Sequence, residues 1–106
     1  MPKMLIAVNY TAEGTKGLIK EGGSARRAAV QKLVEGIGGK VETFYYAYGE
    51  HDAYLIVDMP NATSGLALSL AVNASGAVRL KTIPLITPEE IDTAGKQAVP
   101  YRAPGA

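Results

Sequence analysis

The 106-residue chain has no cysteine, a single histidine and a single phenylalanine. Without cysteine there are no disulfides, no thiolate nucleophile and no Cys-based zinc or iron–sulfur site. One histidine and scattered acids supply no metal-ligand spacing such as H-x-x-x-H, so no metal site is expected, and a lone histidine is poor support for haem. No stretch approaches the ~20 apolar residues of a membrane span. The apolar run Met4 to Val8 is too short for a signal-peptide core. The expectation is a cytoplasmic protein with no membrane partner. Formal net charge is only +1, from 11 basic and 10 acidic residues. Only Arg26-Arg27 are adjacent basic residues, so no field draws the chain to nucleic acid.

What is present suits one ordinary soluble domain. Hydrophobic residues make up 47% and charged residues 20%, and the length suggests one core. Met4 to Tyr10 reads as a strand. Thr11 is a helix N-cap with Glu13 in the first turn, and weak helical spacing runs to Glu21, diluted by Gly14 and Gly17. Gly22-Gly23 interrupts it. Ser24 is placed as the cap of a stronger helix with Ala25, Ala29, Leu33 and Ile37 as its stripe and Val30 and Val34 beside it. Gly38-Gly39 ends that helix.

Lys40 to Tyr48 reads as a strand, Gly49-Glu50 as a tight connection in which glycine supplies backbone freedom, and His51 to Met59 as the antiparallel return strand. Asn61 caps a helix over Ala62 to Ala74 that carries no charge, the pattern of an element covered on more than one side. Ala77 to Ile86 is a fourth strand. Thr87-Pro88-Glu89-Glu90 opens a last helix to about Gln97. The order β-α-β-β-α-β plus a C-terminal helix is the ferredoxin-like α+β pattern, with one domain over 1–97 and a tail over 98–106.

Alternation along the strands sorts residues by face. Ala53, Leu55 and Val57 suit the helices. The opposite face is assigned Phe44, Tyr46, Tyr48, Asp52, Tyr54, Ile56, Arg79 and Ile83. That set is too apolar and aromatic for water and too polar for a plain core. Pairing with a second sheet, in a dimeric α+β barrel, satisfies both constraints. A one-residue shift inverts these assignments.

Several segments together resemble the GYD-domain proteins. They are Ile6-Ala7-Val8-Asn9-Tyr10-Thr11, Gly38-Gly39-Lys40-Val41, Phe44-Tyr45, Tyr48-Gly49-Glu50-His51-Asp52, Val78-Arg79 with Lys81-Thr82, and Thr87 with Glu89-Glu90. The resemblance spans about positions 4 to 95 and implies a ferredoxin-like domain related to the dimeric α+β barrels. It implies no defined activity. In the signature Gly-x-Tyr-Asp the third position is here His51, so any chemistry of that tyrosine would fall to imidazole.

His51 is a potential general acid or base, or else a solvated hairpin residue. Asp52 orients a catalytic group, or pairs with Arg79, or caps the turn. Tyr10, Tyr46, Tyr48 and Tyr54, with Asn9 and Arg79, line a pocket for a small aromatic or carbonyl ligand, or else pack an interface. No G-x-S-x-G elbow, Rossmann fingerprint or P-loop is present, and no cofactor is implied. Three functions remain: a homo-oligomeric small-molecule-binding or sensing protein, a cofactor-independent oxygenase or isomerase using His51 and Asp52, and a structural assembly module.

Overall fold

The computed structural model describes residues 2–106. In chain order it contains β1 (Lys3–Tyr10), α1 (Ala12–Glu21), α2 (Gly23–Gly36), β2 (Lys40–Tyr46), β3 (Ala53–Asp58), α3 (Ala62–Ala74), β4 (Val78–Leu85) and α4 (Pro88–Lys96). The four strands form one antiparallel sheet in the order β2-β3-β1-β4. This is the expected ferredoxin-like α+β topology, with the first helical segment broken in two.

Local chemistry sets the helix ends. The Thr11 hydroxyl accepts from the Gly14 amide at 3.3 Å and donates to the Ala77 carbonyl at 3.1 Å, fastening the start of α1 to the approach to β4. Any side chain at Gly14 would collide with the Ala77 carbonyl oxygen, so glycine is required there by close approach. The α1–α2 break falls at Gly22, which also takes the N-cap position of α2. Ser24, expected as the cap, lies inside the first turn, because a positive-φ glycine two residues earlier has already redirected the chain. At the other end of α2, Gly38 has φ +83°. The Gly38 and Gly39 amides return to the Glu35 and Val34 carbonyls at 3.0 and 2.9 Å, closing a Schellman motif. Asn61 Oδ1 caps α3 through the Ser64 amide at 2.8 Å, and Thr87 with Glu90 forms a capping box on α4.

The core lies between the sheet and α2 and α3. It joins Met4, Ile6 and Val8 of β1, Ala53, Leu55 and Val57 of β3, then Met59, Val34, Leu68 and Val78. Full burial of each larger aliphatic side chain contributes roughly 1.5–3 kcal/mol. On α2 the residues that meet this core are Val30 and Val34, not the expected stripe. Ala25, Ala29, Leu33 and Ile37 are exposed, because the helix is rolled so that its β-branched pair faces the sheet.

β2 departs from simple alternation. Val41 pairs with Val57, but Thr43 pairs with Ile56, so Glu42 is an extra residue in a β-bulge. Beyond it the faces exchange. Phe44 pairs with the core residue Leu55, and Tyr46 with Ala53. Phe44 and Tyr46 therefore face the helices, contrary to the expectation from simple alternation. Thr43 and Tyr45 take their place on the open face. The strand also ends at Tyr46 instead of Tyr48, and β3 begins at Ala53 instead of His51.

Both sheet edges are blunted. β2 carries the bulge. β4 carries Pro84, and its Leu80 amide donates to Asn73 Oδ1 at 2.7 Å instead of pointing at water. Past β4 the chain leaves the body. No residue of α4 is buried, and Ile86, Ile91, Val99 and Tyr101 are exposed. The radius of gyration is 17.1 Å, against about 13 Å for a compact domain of this length.

Candidate functional site

The open face of the sheet is built in cross-strand rows. Thr43, Ile56, Leu5 and Ile83 form one row, and Tyr45, Tyr54, Ala7 and Lys81 the next. Ala7 is almost fully buried although it belongs to this face, overlaid by its longer neighbours. Tyr45, Tyr54 and Ile83 are exposed. One end of the face is charged: Lys3 Nζ bridges Glu42 Oε2 at 2.6 Å and Asp58 Oδ1 at 2.9 Å. Those two hydrogen bonds, Glu42 first, raise the Lys3 pKa above its ordinary value.

The other end holds Asn9 and Arg79, cross-strand neighbours, and the segment that leads from β2 to β3. That segment is pinned by two backbone hydrogen bonds of 2.8 Å, Ala47 amide to Asp52 carbonyl and Asp52 amide to Val8 carbonyl. The Asp52 carboxylate accepts from the Tyr10 amide at 2.8 Å, which ties the hairpin to the last residue of β1. Among the described residues it makes no ion pair with Arg79 and no hydrogen bond to His51.

Asn9 holds His51 instead. Its Nδ2 donates to the Glu50 carbonyl at 3.0 Å. That leaves Asn9 Oδ1 as the atom facing His51 Nδ1, at 2.6 Å. A carbonyl oxygen only accepts, so His51 Nδ1 must carry the proton, and in the neutral ring Nε2 is the basic nitrogen. The His51 ring also meets Tyr54 edge to face, with centroids 5.5 Å apart and planes at 85°.

The sequence candidates therefore separate into three places. Asn9, His51, Tyr54 and Arg79 share the open face, with Asp52 at the hairpin root, its carboxylate held by the Tyr10 amide. Tyr48 stands fully exposed near the hairpin tip. Tyr10 and Tyr46 lie on the helix side. The Tyr46 hydroxyl donates to the Gly23 carbonyl at 3.0 Å, and its ring packs edge-on to Phe44 at 5.1 Å. Burial, followed by the neighbouring Tyr10 hydroxyl, pushes the Tyr46 phenol up to about 12, against the pull of Arg26. Gly49, expected to supply backbone freedom, does not have positive φ, and a Cβ there would meet nothing within 4 Å. The turn itself does not require glycine.

Tyr45 and Lys81 belong to the open face and were not singled out from the sequence. Tyr45 carried no signal in the sequence, because the bulge at Glu42 that turns it to this face shows only in the pairing with β3. Among the described residues no three His, Asp or Glu side chains converge as metal ligands. Among the described residues no helix is long and apolar enough to cross a membrane.

No curated protein and no solved structure matches the chain. The sequence model of the GYD domain matches residues 4–94, from the second residue of β1 into α4. That span contains every strand core and the Asn9–His51 pair. The chain belongs to the GYD-domain family.

Proposed function

We propose that the protein is a homo-oligomeric small-molecule-binding or sensing protein. It pairs with a second copy through the open face of its sheet and takes its ligand in the space beside Asn9, His51, Tyr54 and Arg79. The observation that carries this reading is the composition of that face. An apolar band of Leu5, Ile56, Ile83 and the two tyrosines Tyr45 and Tyr54 gives way at one end to a fixed polar pair. A contiguous apolar face with blunted sheet edges favours face-to-face pairing over edge pairing. Tyr48, with no packing of its own, and the projecting C-terminal arm both suit contact with the partner copy.

The ligand that fits is planar and carries a hydrogen-bonding oxygen. Tyr54 and Tyr45 offer ring faces, Arg79 a charged donor, and His51 Nε2 an acceptor. The test uses the single histidine as its own reporter. In the wild-type protein, 4-hydroxybenzaldehyde should shift the His51 ring resonances saturably, and Ile56→Lys, which puts a charge in the pairing face, should abolish the response. A wild-type protein whose His51 signals do not move, or a response unchanged in Ile56→Lys, contradicts the reading.

A second reading is favoured by the Asn9 contact. With Nδ1 fixed as a donor, His51 Nε2 is presented as a general base, and Asn9 takes the orienting role assigned to Asp52 from sequence. A cofactor-independent enzyme of oxygenase or isomerase type would use that nitrogen to remove a proton, with Arg79 near the developing oxyanion. His51→Ala abolishing turnover while leaving binding intact would support it. Turnover unchanged in that variant would remove it.

A further inference from the structure

On the opposite side of the sheet, α1, α2 and α3 leave a groove of about 480 Å³. That volume is within the roughly 300–1,000 Å³ of small-molecule pockets. Beneath it a narrower apolar recess continues down to the core residues Val8, Leu55 and Val78. Leu33, Val72 and Val78 line both spaces. Leu33 is exposed here despite the apolar company around it.

Two features distinguish this groove from a loosely packed seam. The first is Arg26, which lines both spaces. It is half-buried, and among the described residues its guanidinium makes no ion pair and no hydrogen bond. A cation withdrawn from water without a partner is costly, and guanidinium is shaped to take a carboxylate through two parallel hydrogen bonds. Tyr10, on the groove wall, adds a hydroxyl close to that of Tyr46. The second is Gly17, in the interior of α1. Glycine there costs the helix about 1 kcal/mol relative to alanine. A Cβ would meet nothing within 4 Å, so no neighbouring atom requires the missing side chain, and its absence widens the groove.

We propose that the groove between α1, α2 and α3 is a second binding site, for a small monoanion with an apolar or aromatic body, whose carboxylate pairs with Arg26. The body lies along Leu33, Val72 and Val78. Glu13 and Glu21 stand at the rim, and their charge selects against di- and tri-anionic ligands. The site is complete in one protomer and does not depend on sheet pairing or on the ligand assigned to the open face.

The probe is 2-naphthoate, with 2-naphthylmethanol as its uncharged counterpart. Titration followed by methyl NMR should shift Leu33, Val72 and Val78, and naphthoate should bind roughly tenfold or more tightly than the alcohol, the range of a charge-assisted hydrogen bond. Arg26→Gln should remove that advantage. Gly17→Leu fills the groove while improving the helix, so it should raise the melting temperature and abolish binding. Ile56→Lys should bind naphthoate as the wild type does. Equal affinity for acid and alcohol, binding unaffected by Arg26→Gln or Gly17→Leu, methyl shifts confined to the open face, or no binding each overturns the proposal.

Discussion

Asn9 and His51, 42 residues apart in sequence, are joined by a 2.6 Å contact between Oδ1 and Nδ1. The contact spans the end of β1 and the hairpin, and it fixes which imidazole nitrogen carries the proton. In the neutral ring, nitrogen-15 NMR should report His51 as the Nδ1–H tautomer. Asn9→Ala should return it to the Nε2–H form that free imidazole side chains prefer. The same substitution removes two hydrogen bonds from a half-buried position and should cost about 1–2 kcal/mol in chemical denaturation.

Tyr46 makes the alkaline limb of the stability curve specific. Its folded-state pKa, about 12, lies above the ordinary value of 10.0. Between those values the unfolded chain gives up the proton while the folded one keeps it. Stability from this group is therefore full below about pH 10 and is lost as pH rises towards about 12. Tyr46→Phe should be less stable than wild type at neutral pH, having lost the bond to the Gly23 carbonyl. The gap should close as pH climbs past 10. A gap that stays constant with pH would contradict the assignment.

Three glycines should respond differently to alanine. Gly14→Ala forces a methyl into the Ala77 carbonyl and should destabilise by more than 1 kcal/mol, the mark of overpacking against backbone. Gly17→Ala meets open space in a helix and should stabilise by about 1 kcal/mol. Gly49→Ala, at a position with neither positive φ nor a near neighbour, should change monomer stability by less than about 0.5 kcal/mol. Thermal melts of the three variants side by side check the order.

The sequence made the strand and helix order legible because caps and breaks are local. Thr11, Asn61 and Thr87 each bond within a few residues of themselves, and Gly38 ends its helix by its own φ. The faces of β2 were not legible. One extra residue at Glu42 reverses Phe44, Tyr45 and Tyr46, and nothing in Val-Glu-Thr-Phe marks a bulge that only pairing with β3 reveals. The site was half legible for the same reason. His51 and Asp52 attract notice by chemistry, but their partners, Asn9 Oδ1 and the Tyr10 amide, are chosen by tertiary register. Arg26 drew no attention as a ligand group, because only the folded chain shows it lining the groove beside Glu13 and Glu21 without an ion pair to either.

The proposed function requires the open sheet face to be covered by a second copy of the chain. Sedimentation equilibrium of the wild-type protein and of Ile56→Lys tests this most directly. The wild type should sediment at twice the 11.1 kDa chain mass, and Ile56→Lys at the chain mass itself while remaining folded. A wild-type protein that stays at 11.1 kDa at every concentration examined would contradict the account.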